Sequence, residues 1–356
     1  MVDFLYSVAC NMFNQAHKTG SVLTFGELLL RLCPDADGNW LSTNKLPFHV
    51  GGAELNVATA LALWEVPSKY FTALPDNGIS DQLLSYVANL GIDVSAVHKG
   101  GSRLGLFYLT QGKDMKHDAV IYDRAGSSFA ELKTGVVDWD NVLNGVSWFH
   151  FSAICPALSQ TTADLCEEAL KAASAKGITI SIDLNYRAKL WQYNKVPYEV
   201  MPALAKYCDL IMGNVWSAEK LLGIPVMPDI HESGQRSIYL KEALSSSQEI
   251  MSRYPKCKAV ANTFRFDDGK GIEYYTALYT DGQLHSSAVY DANHVVDKVG
   301  SGDCYMAGLV YGFYNRFSPS EIVDFATAAA FDKLFIEGDA TTSTVEKIKS
   351  SIKPNF

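Results

Sequence analysis

The chain has 356 residues, 48% of them apolar, and its 39 acidic against 30 basic side chains leave a formal net charge of −9. That length suffices for one large α/β domain with an appendage, and the acidic balance argues against a nucleic-acid partner, which needs a basic face. Seven cysteines lie scattered without CxxC pairs or metal-ligand spacing, as in a reducing cytoplasm. No apolar run approaches the ~20 residues that span a bilayer, so a cytoplasmic protein with no membrane partner is expected.

Residues 1–20 carry Asp3 where an export signal has positive charge, and they are read as an N-terminal extension ahead of a single domain over 21–356. From Val22, VLTFGELLLRL is a strand-like run interrupted by Gly26. Asn56–Trp64 has helical apolar spacing and opens on a capping residue. KYFTAL reads as a strand, and Ile79–Leu90 as an amphipathic helix ended by Gly91. WFHFS, the helix Thr161–Lys176, Gly177 and ITISIDLN repeat the cycle of strand, helix, glycine and strand. DLIMGN, a helix around Ala218–Leu222, the helix Tyr239–Tyr254 and CKAVANTF continue it, and a helix-rich end runs from Ser301 to about Leu334. Strands alternating with helices of this length predict parallel βαβ units in an α/β, doubly wound sheet.

Two stretches break the rhythm. Residues 31–50 hold turn formers and no helical pattern, and 103–124 reads as two strands, RLGLFYLT and AVIYDR, joined by a polar turn. A β-hairpin inserted in an α/β domain is an edge appendage or a lid, and together the two pieces suit a small sheet over the site.

Two glycine-rich helix starts carry the candidate chemistry. In DKVGSGDCYMAGLVYGF, the small residues Gly300, Ser301 and Gly302 precede Asp303 and a long apolar helix. Such a turn lets backbone N–H groups approach an anion, helped by the helix dipole. In HVGGAELNVATALALW, Gly51 and Gly52 precede Asn56, whose amide can both donate to and accept from a sugar hydroxyl. Taken singly, each also reads as an ordinary helix start, with Asp303 or Asn56 as the cap. Cys304 reads as a small packing residue.

The pair, in this order and separation, resembles the two signatures of the ribokinase-like (PfkB-type) carbohydrate kinases, over roughly Val22 to the C-terminus. The resemblance implies a ribokinase-like fold: a central, mostly parallel sheet flanked by helices, with a small β-sheet lid. It implies Asp303 as catalytic base and Gly300, Ser301 and Gly302 as an anion hole for the transferring phosphoryl group. RLGLFYL, VIYDRAGSSF and DLNYRAKLW are most similar to the 2-keto-3-deoxygluconate kinases. By that likeness Gly51, Gly52, Asn56, Tyr108, Tyr122, Arg124 and Arg187 meet a sugar acid, with Arg124 facing its carboxylate. Cross-strand packing is the alternative for both tyrosines. Asn185, Asn214, Thr263 and Arg265 are the implied ATP contacts. ATP and Mg²⁺ are the implied cofactors, with a monovalent cation as an open addition, and a homodimer or larger homo-oligomer is expected. In GNVWSAEKLLG, Ser217 stands where many relatives carry a glutamate, and Glu219 lies two positions on, so the metal ligands stay unassigned. Fructokinase or ribokinase activity, and a sugar or nucleotide sensor without catalysis, are the competing readings.

Overall fold

The computed structural model describes residues 20–34, 39–41, 44–110, 120–267 and 271–354. The N-terminal extension, apart from residue 20, and the turn of the inserted hairpin lie outside these residues.

In chain order the strands begin with β1 (Ser21–Phe25), β2 (Leu29–Leu32), β3 (Phe48–Gly51), β4 (Ser68–Phe71), β5 (Ala73–Leu74), β6 (Ile92–Asp93) and β7 (His98–Lys99). They continue with β8 (Gly105–Tyr108), β9 (Ile121–Asp123), β10 (Val146–Ser152), β11 (Thr179–Asp183) and β12 (Leu210–Gly213). The last four are β13 (Ala259–Asp267), β14 (Ile272–Thr280), β15 (Gln283–Ser286) and β16 (Tyr290–Ala292). The main sheet has the order β15-β14-β13-β12-β11-β10-β1-β4-β6, with β16 on β14. It is parallel from β13 to β6, and β14, β15 and β16 run antiparallel at one end.

Side chains alternate across a strand, so each parallel strand feeds two cores. Leu23, Phe149, Phe151, Ile180 and Ile182 pack on one face with Leu165, Ala169 and Leu170 of the helix Gln160–Ala175. Val22, Trp148, Leu210 and Met212 pack on the other with the helices Ala53–Leu63, Ser301–Tyr314 and Pro319–Lys333. Burial on both faces is why these strands read as near-continuous apolar runs.

A second, four-stranded sheet has the order β3-β2-β8-β9. β8 and β9 are antiparallel, as the hairpin pattern suggests, while β8 joins β2 in parallel. The single run VLTFGELLLRL is therefore two strands in two sheets, split at Gly26. A Cβ on Gly26 would stand 2.0 Å from the Glu54 carboxylate, so a side chain here would displace Glu54. KYFTAL divides in the same way into β4 and β5, the latter paired with β7. Local pattern cannot distinguish one long strand from two short ones, because both bury apolar side chains.

Candidate active site

The carboxyl ends of the parallel strands open into a cavity of about 670 Å³, covered by the second sheet. This is where open α/β sheets hold ligands. The strand ends lead directly into the lining: Glu27 after β1, Ile154 after β10, Asn185 and Arg187 after β11, and Asn214 after β12.

The helix Ser301–Tyr314 starts at the cavity. Its N-cap is Gly300, in the left-handed region at φ 78°, where a Cβ would strike the Asp339 carbonyl oxygen at 1.7 Å. Only glycine fits there. Around Gly302, by contrast, a Cβ would meet nothing within 4 Å, so the backbone of this turn is open to a ligand. Asp303 lies within the first turn, and its carboxylate does not cap the helix. Its Oδ2 accepts a 2.7 Å bond from Nδ2 of Asn56. Asn56 likewise is no cap: Gly52, at φ 139°, holds that place, and Asn56 sits one turn into its helix. The competing helix-cap readings of both residues are thereby replaced by a buried amide–carboxylate contact linking the two signature helices. Bonds to a charged group contribute ~1.5–3 kcal/mol each.

Burial pushes the Asp303 carboxyl up to about 7, and the charge of Glu54 pushes it the same way, while the Asn56 amide and Arg187 pull it down. Asp183, at the end of β11, is raised well above its ordinary range by burial and then by the charge of Asp303. Glu54 is raised by burial, against the bonds it accepts from the Ser152 amide at 3.0 Å and the Cys155 thiol at 3.4 Å. The floor of the cavity thus holds carboxyls whose protonation is set by exclusion of water. Among the lining atoms, Oδ1 of Asn56 and Nε of Arg187 are buried without a hydrogen-bond partner among the described residues.

The second sheet supplies Leu29, Phe107, Tyr122 and Arg124 to the lining. Arg124 is 7% exposed and donates from Nε to Oε2 of Glu27 at 2.7 Å, with a further ion-pair contact from Nη2. Tyr108 is not in the lining. Residues alternate across β8, so Phe107 points inward and Tyr108 packs edge-on against Trp40, at 5.2 Å between ring centroids. The inward position expected of Tyr108 is one residue earlier. Gly51 also stands behind the cavity, where its missing Cβ leaves room for the Asp339 carboxylate, 2.2 Å from the Cβ position.

Gly52, Asn185, Asn214, Thr263 and Arg265 all reach the lining. Asn214 also caps the helix Val215–Leu222, accepting from the Ser217 amide at 2.8 Å. Ser217 and Lys220 line the cavity, whereas Glu219 turns away and pairs with Lys220 at 3.1 Å. Sequence reasoning did not single out Glu27, Asp183, Lys189, Lys298 or Asp339, all of them in the lining. Asp183 had a signal, as the acid closing an apolar strand; Asp339, in a stretch without periodicity, had none. Cys304 is buried, with its thiol pushed up to about 12 by burial, as suits packing.

Among the described residues no group of three or more His, Cys, Asp or Glu side chains could hold a metal ion. No helix among them is long and apolar enough to cross a membrane.

The chain is 25% identical over 348 residues to a 2-dehydro-3-deoxygalactonokinase of Haloferax volcanii, covering 94% of this chain and 97% of the relative. It is 24% identical to the 2-dehydro-3-deoxygluconokinase of Bacillus subtilis, covering 92% and 94%. The crystal structure of 2-dehydro-3-deoxygluconokinase from Thermotoga maritima superposes with a TM-score of 0.83 at 35% identity, over 93% of this chain and 98% of that one. The sequence profile of the pfkB family of carbohydrate kinases matches residues 19–342, and with the two signature helices joined at Asn56 and Asp303, the chain belongs to that family.

Proposed function

We propose that this carbohydrate kinase transfers the γ-phosphoryl group of ATP to the primary hydroxyl of 2-keto-3-deoxygluconate, giving the 6-phosphate. The observation that carries the reading is the buried Asn56–Asp303 contact beside an open glycine turn, within one cavity that also presents Arg124.

Phosphoryl transfer has a loose transition state, so positioning and charge stabilisation matter more than early deprotonation. In this reading Asp303, aimed by the Asn56 amide, orients the hydroxyl and takes its proton late. The Gly300–Gly302 backbone amides, at the positive end of their helix, receive the equatorial phosphoryl oxygens. Asn185, Asn214, Thr263 and Arg265 bind ATP. Arg124, held by Glu27, presents a planar, permanent cation to the substrate carboxylate. Asp183, a carboxylate of the cavity lining, would hold Mg²⁺, and the ion would supply charge neutralisation on the phosphates.

A panel of 2-keto-3-deoxygluconate, its C4 epimer, fructose and ribose, read by ADP release, tests the assignment. Preference for a neutral sugar would overturn it, and preference for the epimer would move it to the galactonate acid.

The assembly proposed is a homodimer through the second sheet. Among the described residues no strand pairs with the outer edges of β3 and β9, and Leu41, Phe48 and Ile121 are 95, 58 and 54% exposed. Light scattering at micromolar concentration checks this, and a fully active monomer contradicts it.

A further inference from the structure

A second group of charges adjoins the Gly300–Gly302 turn. Arg31 comes from β2, in the second sheet, and is completely buried. Its guanidinium donates from Nη1 to Oδ1 of Asp297 at 3.3 Å and from Nη2 to Oδ2 at 2.5 Å. Its Nε stands 2.8 Å from Oδ1 of Asp339, a charge contact rather than an aligned hydrogen bond. Lys333 is also completely buried and donates from Nζ to the Ile336 carbonyl at 3.0 Å.

Both carboxylates act on backbone next to the turn. Asp297 accepts from the Val299 amide at 3.1 Å and from the Gly338 amide at 3.3 Å. The Asp339 carbonyl oxygen occupies the space a Cβ on Gly300 would need, and its carboxylate the space a Cβ on Gly51, at the end of β3, would need. One guanidinium therefore ties a strand of the second sheet to the two segments that shape the glycine turn. A buried ion cluster is a poor stabiliser compared with apolar packing of the same volume. Stability alone does not account for placing two cations and two carboxylates here; the position against the turn does.

We infer that Arg31 is a positioning residue for phosphoryl transfer, setting the Gly300–Gly302 amides through Asp297 and Asp339. This rests on reading that turn as the anion hole. The hole acts on charge that develops in the transition state, so its misplacement lowers kcat and leaves ground-state binding nearly intact.

The test uses the full chain with Arg31→Lys, Arg31→Ala and, separately, Gly302→Ala. Each is assayed for kcat, for KM of sugar and of ATP, and for thermal unfolding. Removing a preorganised donor from such a hole costs ~10²–10³-fold in kcat, and Arg31→Ala should approach that loss with both KM values within about threefold of the parent. Arg31→Lys keeps the charge if the alanine variant fails to fold, and should lose ~10-fold, since an ammonium cannot bridge two carboxylates in a fixed plane. Millimolar guanidinium ion restoring part of the kcat of Arg31→Ala, but none of that of Arg31→Lys, supports the inference. A folded Arg31→Lys with parental kcat, or a loss confined to sugar KM, overturns it. Full activity in Gly302→Ala instead removes the anion-hole reading itself.

Discussion

The two walls of the cavity are built on opposite principles. The wall bearing Asp303 belongs to the thick part of the molecule, where the helices Ala53–Leu63 and Ser301–Tyr314 pack against the main sheet. The facing wall is a thin sheet of four short strands that contributes Phe107, Tyr122 and Arg124 and leaves Phe48 and Ile121 exposed outside. Groups held from every side keep sub-ångström geometry, which phosphoryl transfer needs. A thin wall that changes its inward residues disturbs only a small cluster, Leu29, Phe107, Leu109, Val120 and Val299, rather than the main cores. In the proposed reading, phosphoryl transfer is assigned to the first wall and discrimination between sugars to the second.

The largest effect expected is on the thick wall. Asp303→Asn should preserve the fold and ATP binding while lowering turnover by ~10²–10⁴-fold. Turnover within a few-fold of the parent, with the substrate verified, would remove Asp303 from its role.

On the thin wall, Arg124→Ala should weaken binding of keto-deoxygluconate by ~2–5 kcal/mol, because one partner of a desolvated charge pair is left alone. Apparent affinity for ATP should hardly move, and Arg124→Lys should rescue in part. The substitution also strands the Glu27 carboxylate, 2% exposed, so some loss of thermal stability accompanies it. The double change Glu27→Gln with Arg124→Ala separates the two: stability should recover and sugar binding should not. Equal losses on an acid and a neutral sugar would contradict the carboxylate contact.

A smaller contrast tests the register of β8. Phe107→Ala should raise sugar KM, and Tyr108→Ala should leave it unchanged while loosening the contact with Trp40. Steady-state kinetics showing the reverse pattern would mean that the strand closes on substrate in another register.

The smallest effect is in pH. With its carboxyl at about 7 in the free enzyme, Asp303 should make kcat/KM fall as pH drops below about 7. Its folded pKa lies above the ordinary value of 3.8, so its favourable contribution to stability is complete below that value and is lost as pH rises through about 7. Asp303→Asn should therefore raise Tm relative to the parent more at pH 8 than at pH 5. Calorimetry at the two pH values checks the sign.

Much of this was legible along the chain. Alternating strands and helices predicted the parallel sheet, and small residues before Asp303 and Asn56 marked the two helix starts, because the steric demands of a tight turn are local. The interruptions of that alternation at 31–50 and 103–124 also point to a second sheet. Which strands belong to which sheet was not legible: VLTFGELLLRL reads as one run, and its division at Gly26 depends on a glutamate 28 positions away that fills the space a side chain would need. Nor could composition tell Tyr108 from Phe107, since a one-residue shift of register exchanges the faces of a strand. Periodicity and backbone sterics, which act over a few residues, make the layered architecture and the two helix starts readable along the chain. Folding alone brings Asn56 to Asp303, Glu27 to Arg124, and Arg31 to Asp297 across 266 positions. Those pairings exist because burial makes an unpartnered charge or amide costly, and burial is known only once the chain has folded.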